Sequence, residues 1–233
     1  MTNLNNSIPE SARPIILASG SPRRIEMLSD LGLSFAACPQ EIDESADYCE
    51  KPEIYVFRIS AEKVDSALES YGSSVSGAIA LQNPERFNNF DESAKRDDPV
   101  FLGADTVVVY DGKLMGKPET RSDAREMILS LSGRTHQVIS GYSIADLRGD
   151  RVHGTVTTSV TFRVLEDVEI EDYLSTMEWT DKAGAYGIQG AAAFMVSAID
   201  GSYTNVVGLP LAEVTRALRK MGAVSNLFCS RPR

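Results

Sequence analysis

The chain is short of positive charge, of cysteine and histidine, and of long apolar runs. Against 33 Asp and Glu it carries 23 Lys and Arg, a formal net charge of −10. A broad nucleic-acid-binding surface needs the opposite excess, so no nucleic-acid partner is expected. A small anion in a cleft needs only a local cluster of cations, and that class stays open. No segment approaches the roughly 18 consecutive apolar residues of a membrane helix, so no membrane partner is expected. Residues 1–13 are polar and lack the basic start and apolar run of a secretory leader, which predicts a cytoplasmic location. The three cysteines, Cys38, Cys49 and Cys229, are far apart and form no CxxC, which favours reduced thiols over a disulfide framework. The two histidines, His136 and His153, make no zinc-site spacing with them and read as ordinary strand or loop residues. There is no GxSxG elbow and no internal repeat.

What is present suits a single domain spanning 1–233, with 1–13 as a flexible tail. Apolar residues are 42% of the 233, enough for a sizeable core. Pro14 to Ala18 read as a buried strand, Ser19 to Ser21 as a turn, and Pro22 to Leu31 as a helix with Ser21 at its N-cap and Gly32 as its stop. A second helical pattern covers 52–70. Tyr71 to Pro99, polar and aperiodic, reads as an inserted loop. Residues 100–110 read as a central strand, and Asp111-Gly112 as a hairpin turn. A helix over 121–131 precedes two alternating stretches, 135–147 and 152–164, which read as a long hairpin around Gly149-Asp150. A helix at 167–177, a Gly-rich stretch at 183–190, a strand at 194–200 and a helix at 210–221 complete the chain. Strand-helix units mixed with a long hairpin predict an α/β fold, its mixed, twisted, largely antiparallel-containing sheet flanked by helices.

Several residues stand out chemically. At the first turn, Gly20 permits a tight path, Ser19 and Ser21 offer hydroxyls, and the helix start offers free N–H groups, a set that suits phosphate. Arg23 and Arg24 oppose the helix dipole there unless an anion is bound; a surface pairing of Arg23 with Glu26 is the alternative. Asp105 interrupts an apolar strand, which points to a cleft position for binding metal or taking a proton from water; a structural Asp bonded to backbone amides is the alternative. Residues 112–118 imitate a phosphate-binding P-loop, but the spacing is one residue short and Pro118 replaces the Ser or Thr. Lys117 still offers a point charge, or is a plain surface lysine. Asp181 to Gly190 places three glycines around Tyr186 and Gln189. It either lets backbone approach a ligand or is a structural loop, and Gln189 has the donor and acceptor to read a base edge. Asp43 and Glu44 form a neighbouring acidic pair that suits a hard divalent cation.

Taken together, these segments resemble the Maf family of nucleoside triphosphate pyrophosphatases. The matching pieces are Ser19-Gly20-Ser21-Pro22-Arg23-Arg24, Ile42-Asp43-Glu44-Ser45, Tyr55-Val56-Phe57-Arg58 leading to Lys63, and Gly103-Ala104-Asp105-Thr106. They continue with Gly116-Lys117-Pro118, Ser132-Gly133-Arg134-Thr135-His136, Asp181 to Gly190, and Gly201-Ser202-Tyr203 through Val207-Gly208-Leu209-Pro210-Leu211. Their shared order over about 14–220 makes the resemblance specific. It implies an inosine triphosphate pyrophosphatase-like fold of two lobes around a central cleft. It implies hydrolysis of a nucleoside triphosphate to the monophosphate and pyrophosphate with a divalent cation, Mg²⁺ or Mn²⁺. Asp105 would be the general base or metal-linked acid, and Glu44 would help hold metal. Arg23, Thr106 and Gln189 would influence base choice; Ser19, Ser21, Arg24, Lys63 and Lys117 would face the phosphates. The Asp181–Gly190 sequence resembles the branch acting on dTTP and UTP, with modified pyrimidine triphosphates as further candidates in nucleotide-pool housecleaning. Ala191-Ala192-Ala193 and Trp179 depart from the family's habit at the edges of that loop. The alternative functions are a nucleotide sensor or a cell-division (septum) inhibitory interaction protein, and a homodimer is compatible with either reading.

Overall fold

The computed structural model describes residues 13–73 and 98–225. The strands are β1 (Ile15–Leu17), β2 (Phe35–Ala37), β3 (Val100–Tyr110), β4 (Lys113–Met115), β5 (Thr135–Asp146), β6 (Arg151–Phe162) and β7 (Val196–Asp200). The helices are α1 (Pro22–Asp30), α2 (Pro52–Ser73), α3 (Arg121–Leu131), α4 (Asp167–Ser175), α5 (Tyr203–Val207) and α6 (Leu211–Lys220). One mixed sheet runs in the order β2-β1-β3-β5-β6-β7. β1 is parallel to β2 and β3, and every other pairing is antiparallel. The expected mixed α/β architecture is therefore present, and no described helix is long and apolar enough to cross a membrane.

The long hairpin is β5–β6, and the Asp111-Gly112 turn joins β3 to β4 with both residues at positive φ, 50° and 70°. That pair of angles is what a two-residue hairpin loop demands, and Asp-Gly meets it at little cost. Three boundaries differ from expectation. α2 continues to Ser73, so residues 71–73 belong to a helix; residues 74–97 of the expected insertion lie outside the described residues. Arg13, placed in a flexible tail by the sequence, is fastened by an ion pair to Asp146 at 2.8 Å and a bond from its Nη1 to the Met221 carbonyl at 3.0 Å. Residues 203–207, not foreseen as a separate element, form the short α5, because Ser202 caps it through the Asn205 amide.

The sheet positions the site through a gap. β1 pairs with β3 only from Val100 to Leu102, and β4 pairs only from Val108 to Tyr110. Residues 103–107 of β3 therefore have a strand partner on one edge alone, the β5 edge. On one face, α2 packs very close: a Cβ on Gly103 would lie 2.4 Å from the Ser60 carbonyl oxygen, and one on Gly141 2.2 Å from that of Val56. Only glycine tolerates such approach, and it brings α2 down onto β3 and β5. The larger apolar cluster, including Leu28, Leu102, Ile128, Tyr173 and Leu218, joins β3 and β5 to α1, α3, α4 and α6.

Candidate active site

The gap in the β3 edge opens into a cleft of about 850 Å³, lined among others by the 18–24 turn, Glu44, Lys63, Asp105, Thr106, Lys117 and Lys182. Asp105 is buried in the floor. Its Oδ1 accepts from Lys63 Nζ at 2.9 Å, and the same ammonium lies 2.7 Å from Glu44 Oε1. Lys63 reaches both because Gly103 and Gly141 let α2 sit low on the sheet. The Glu44 loop is held in turn: Tyr55 donates its hydroxyl to the Glu44 carbonyl at 2.8 Å, and Arg58 donates to the Ser45 carbonyl at 3.0 Å. Burial works to raise the Glu44 carboxyl, but the hydrogen bond and charge of Lys63, with Lys117 and Arg24 beyond, hold it below its ordinary range. The same carboxylates, burial first, push the Tyr55 phenol up to about 12, so it remains a donor at neutral pH.

Arg24 builds the turn through all three of its nitrogens. Its Nε donates to the Gly208 carbonyl at 2.9 Å, Nη1 to Ser19 Oγ at 3.2 Å and Nη2 to Thr106 Oγ1 at 3.2 Å. Thr106 Oγ1 also bonds Ser140 Oγ at 2.8 Å and the Gly208 carbonyl at 3.1 Å. These bonds tie β3, α1 and the 202–211 segment together around the residue next to Asp105. Ser19 is buried within this network, while Ser21 lines the cleft and occupies the α1 N-cap without a side-chain capping bond. Gly32 stops α1 at φ 72°, as expected.

Arg23 makes no hydrogen bond or ion pair among the described residues, so the pairing with Glu26 is not formed. It lines the cleft beside Lys182; a Cβ on Gly187 would lie 2.9 Å from Lys182 Cε and 3.2 Å from Arg23 Nη1. Gln189 is elsewhere. It lines a separate cavity of about 320 Å³ with Met27, Leu31, Tyr203 and Leu211, one helical turn along α1 from Arg23. The cleft thus brings together Ser19, Ser21, Arg23, Arg24, Glu44, Lys63, Asp105, Thr106 and Lys117, and leaves Gln189 outside its lining.

Lys182 and Tyr55 escaped the residue-by-residue reading. Lys182 was legible as the only cation in the Gly-rich loop, and Tyr55 as the aromatic heading a helix that carries Lys63. The loop itself is well fastened. Tyr173 donates to the Ala185 carbonyl at 3.1 Å, the Gly184 amide bonds Gly116, and the Ala191 amide bonds Glu178 Oε2 at 2.8 Å. His136 Nε2 and the Tyr186 hydroxyl share a 2.7 Å bond inside the core, where burial lowers the imidazole to about 4. His136 is thus a strand residue, as expected, and a neutral one. His153 is also in a strand, edge-on to Phe57.

Among the described residues no three His, Cys, Asp or Glu side chains converge. Glu44 and Asp105 each give the Lys63 ammonium one oxygen, Oε1 and Oδ1, and their second oxygens make no bond among the described residues. Two carboxylates completed by water and substrate phosphates is the donor set that Mg²⁺ ordinarily uses. The residues therefore fit a divalent ion held by Glu44 and Asp105.

The chain matches the family described as Maf-like protein over residues 14–221. It is 40% identical over 233 residues to a dTTP/UTP pyrophosphatase of Syntrophotalea carbinolica, covering 100% of this chain and 96% of the relative. It is 43% identical over 211 residues to one of Geotalea uraniireducens, covering 90% and 96%. Among solved structures, a nucleoside-triphosphatase / dITP/XTP pyrophosphatase of Mycobacterium abscessus aligns over 90% of this chain and 94% of that one, at 11% identity and a TM-score of 0.38, too distant to bear on the site. The motif order, the cleft those motifs build and the match over 14–221 agree, and the chain belongs to the Maf family.

Proposed function

We propose that this protein is a nucleoside triphosphate pyrophosphatase that hydrolyses dTTP and UTP to the monophosphate and pyrophosphate. The observation that carries the reading is the Lys63 bridge between Glu44 and Asp105 in the floor of a cation-lined cleft, in a chain 40% identical over its whole length to a relative of that name.

The residues divide the work. The α1 N-terminus with Ser21, and Arg23 and Lys117 around it, draw the triphosphate into the cleft. Asp105 takes a proton from water as the water oxygen attacks the α-phosphorus. The bond from that phosphorus to the bridging oxygen breaks, and pyrophosphate leaves with the electron pair. Lys63 keeps Asp105 aimed, and its ammonium faces charge that builds on the phosphoryl oxygens. Glu44 and Asp105 would hold Mg²⁺ or Mn²⁺, which supplies charge neutralisation on the triphosphate. Tyr55 fixes Glu44, and Arg24 fixes Ser19 and Thr106; both act through position. In this arrangement Arg23, Thr106 and Gln189 bear on base choice, from α1, the sheet and the neighbouring cavity. The reaction takes place in solution on a small molecule, consistent with a cytoplasmic housecleaning enzyme.

No observation on the molecule favours a sensing or cell-division interaction protein. The test is a panel of common and modified triphosphates with Mg²⁺ or Mn²⁺, scored for product. The expected result is pyrophosphate and monophosphate in equal amounts, fastest from dTTP and UTP. Orthophosphate as the product, or binding without turnover, would contradict it.

A further inference from the structure

Glu44 projects from a segment that packing does little to hold. Residues 38–51 form neither strand nor helix, and 43–49 are exposed throughout, Tyr48 almost completely. What fastens this segment is polar and centres on one side chain of α2. Arg58 donates from Nε to Glu50 Oε1 at 2.9 Å and from Nη2 to Glu50 Oε2 at 2.7 Å. Its Nη2 also donates to the Ser45 carbonyl at 3.0 Å. Glu50 Oε2 accepts from the Asp47 amide at 3.2 Å, so the carboxylate gathers the loop from its own end too. The Glu50 side chain is only 6% exposed, in a stretch otherwise open to water. The chain enters this position through a turn closed by the Glu50 amide on the Asp47 carbonyl, with Cys49 at φ 62°. A residue with a Cβ adopts that conformation only where its surroundings enforce it. Here the forked Arg58–Glu50 pair does so, because two parallel charge-assisted bonds fix direction as well as distance.

Tyr55, Arg58 and Lys63 all stand on α2. The first two hold the carbonyls of Glu44 and Ser45, and the third holds the Glu44 carboxylate. Backbone and carboxylate of Glu44 are thus both referred to one helix. Asp105 needs no such device, since it rides on β3. The Glu44 side chain is 45% exposed, so burial would not return it to Lys63 if its backbone drifted. A shift on the order of 1 Å at a group of this kind can cost about 10²-fold in rate. Neither Arg58 nor Glu50 lines the cleft. We propose that the Arg58–Glu50 pair is a positioning device for Glu44, acting on the reaction only through the aim of that carboxylate. This rests on the function proposed above, in which Glu44 would help hold the divalent ion. A built-in control lies beside the pair. Glu62, the other acid hydrogen-bonded to Arg58, sits at 3.3 Å on the same helix, 41% exposed, with no bond to the loop among the described residues.

The experiment is steady-state turnover of UTP with Mg²⁺ by variants of the full chain, beside hydrogen exchange of the 43–47 amides. Arg58→Met is expected to lower kcat about tenfold or more, with KM for UTP within about threefold of wild type. Arg58→Lys keeps the charge and loses the fork, so it should fall with the Met variant. Glu62→Gln should turn over as wild type does. The decisive arm is a double variant. Glu44→Gln removes the group being positioned, so adding Arg58→Met to it should cost less than about twofold more. Exchange at 43–47 should rise about tenfold or more in Arg58→Met, with the β3 and β5 amides protected as in wild type. Wild-type kcat in Arg58→Met overturns the inference, and so does unchanged exchange at 43–47. A loss that multiplies in full with that of Glu44→Gln also overturns it, since Arg58 would then act by another route. Wild-type turnover in Glu44→Gln alone leaves nothing to position and overturns it while hydrolysis stands. Glu50→Ala carries the same test if the Met variant does not fold. Exchange is read without turnover, so a wild-type chain inactive on every triphosphate would sink the functional reading and leave the hold on the loop to be judged by exchange.

Discussion

In one part of the cleft Lys63 lies between Glu44 and Asp105, at 2.7 and 2.9 Å; in another, Arg23 and Lys182 lie side by side with no acid between them. The first region holds a countercharge before any ligand arrives, and the second does not. Paired charges hold geometry. They keep a carboxylate aimed, which is what a group that moves a proton requires. Unpaired cations store attraction for something absent from the chain. On the function proposed above, the paired region carries the chemistry and the unpaired one attracts the substrate.

The contrast can be broken most severely by lifting α2. Gly141→Ala puts a methyl against the Val56 carbonyl, where a Cβ would stand at 2.2 Å. It should destabilise by about 3 kcal/mol and, by displacing Lys63, lower kcat roughly 10²-fold. Denaturant unfolding and turnover of UTP check both, while pyrophosphate affinity should change far less. Next comes Arg24→Lys, which cannot reproduce the fork to Gly208, Ser19 and Thr106. A loss of about 2–3 kcal/mol in stability is expected. Retention of full stability would mean that Arg24 is a ligand contact and not the clamp of the turn.

A third prediction concerns the support of the Gly-rich loop. His136 is held neutral, at about 4 against an ordinary 6.5. A depressed imidazole favours the folded state at pH above the unfolded value, and that advantage is lost as pH falls from about 6.5 through about 4. Between pH 7.5 and 5 the wild type should lose about 2 kcal/mol on this account. His136→Phe should remove that part of the pH dependence, as read by denaturant midpoints at the two pH values. The smallest effect is expected from Glu178→Gln. The Glu178 Oε2 accepts from the Ala191 amide at 2.8 Å, and weakening that bond should cost about 1 kcal/mol in denaturant stability with kcat unchanged.

Much of this was legible in the sequence, for reasons that differ by element. The β3 strand, the Asp111-Gly112 turn and the β5–β6 hairpin carry local signals in apolar alternation and turn chemistry. Asp105 announced itself because a carboxylate in an apolar strand must reach a cleft or a partner, and here it does both. The Lys63 bridge was not legible, since it spans 42 residues to Asp105 and depends on the close approach of α2 to Gly103 and Gly141, which belong to distant strands. The bonds of Arg24 to Gly208 and Thr106 were not legible, because those partners come from distant segments. Gln189 has the right chemistry for reading a base, yet the turn from Ile188 to Gly190 carries it to the cavity behind α1. Arg23 and Arg24 are adjacent in sequence, and only the fold separates the committed one from the open one.

The central claim is that Asp105 performs the proton transfer in the paired region. The direct measurement is pyrophosphate release from dTTP and UTP with Mg²⁺ by Asp105→Asn, with pyrophosphate affinity measured alongside. The account predicts a fall in kcat on the order of 10²-fold or more with anion binding retained. Turnover at the wild-type rate would contradict it.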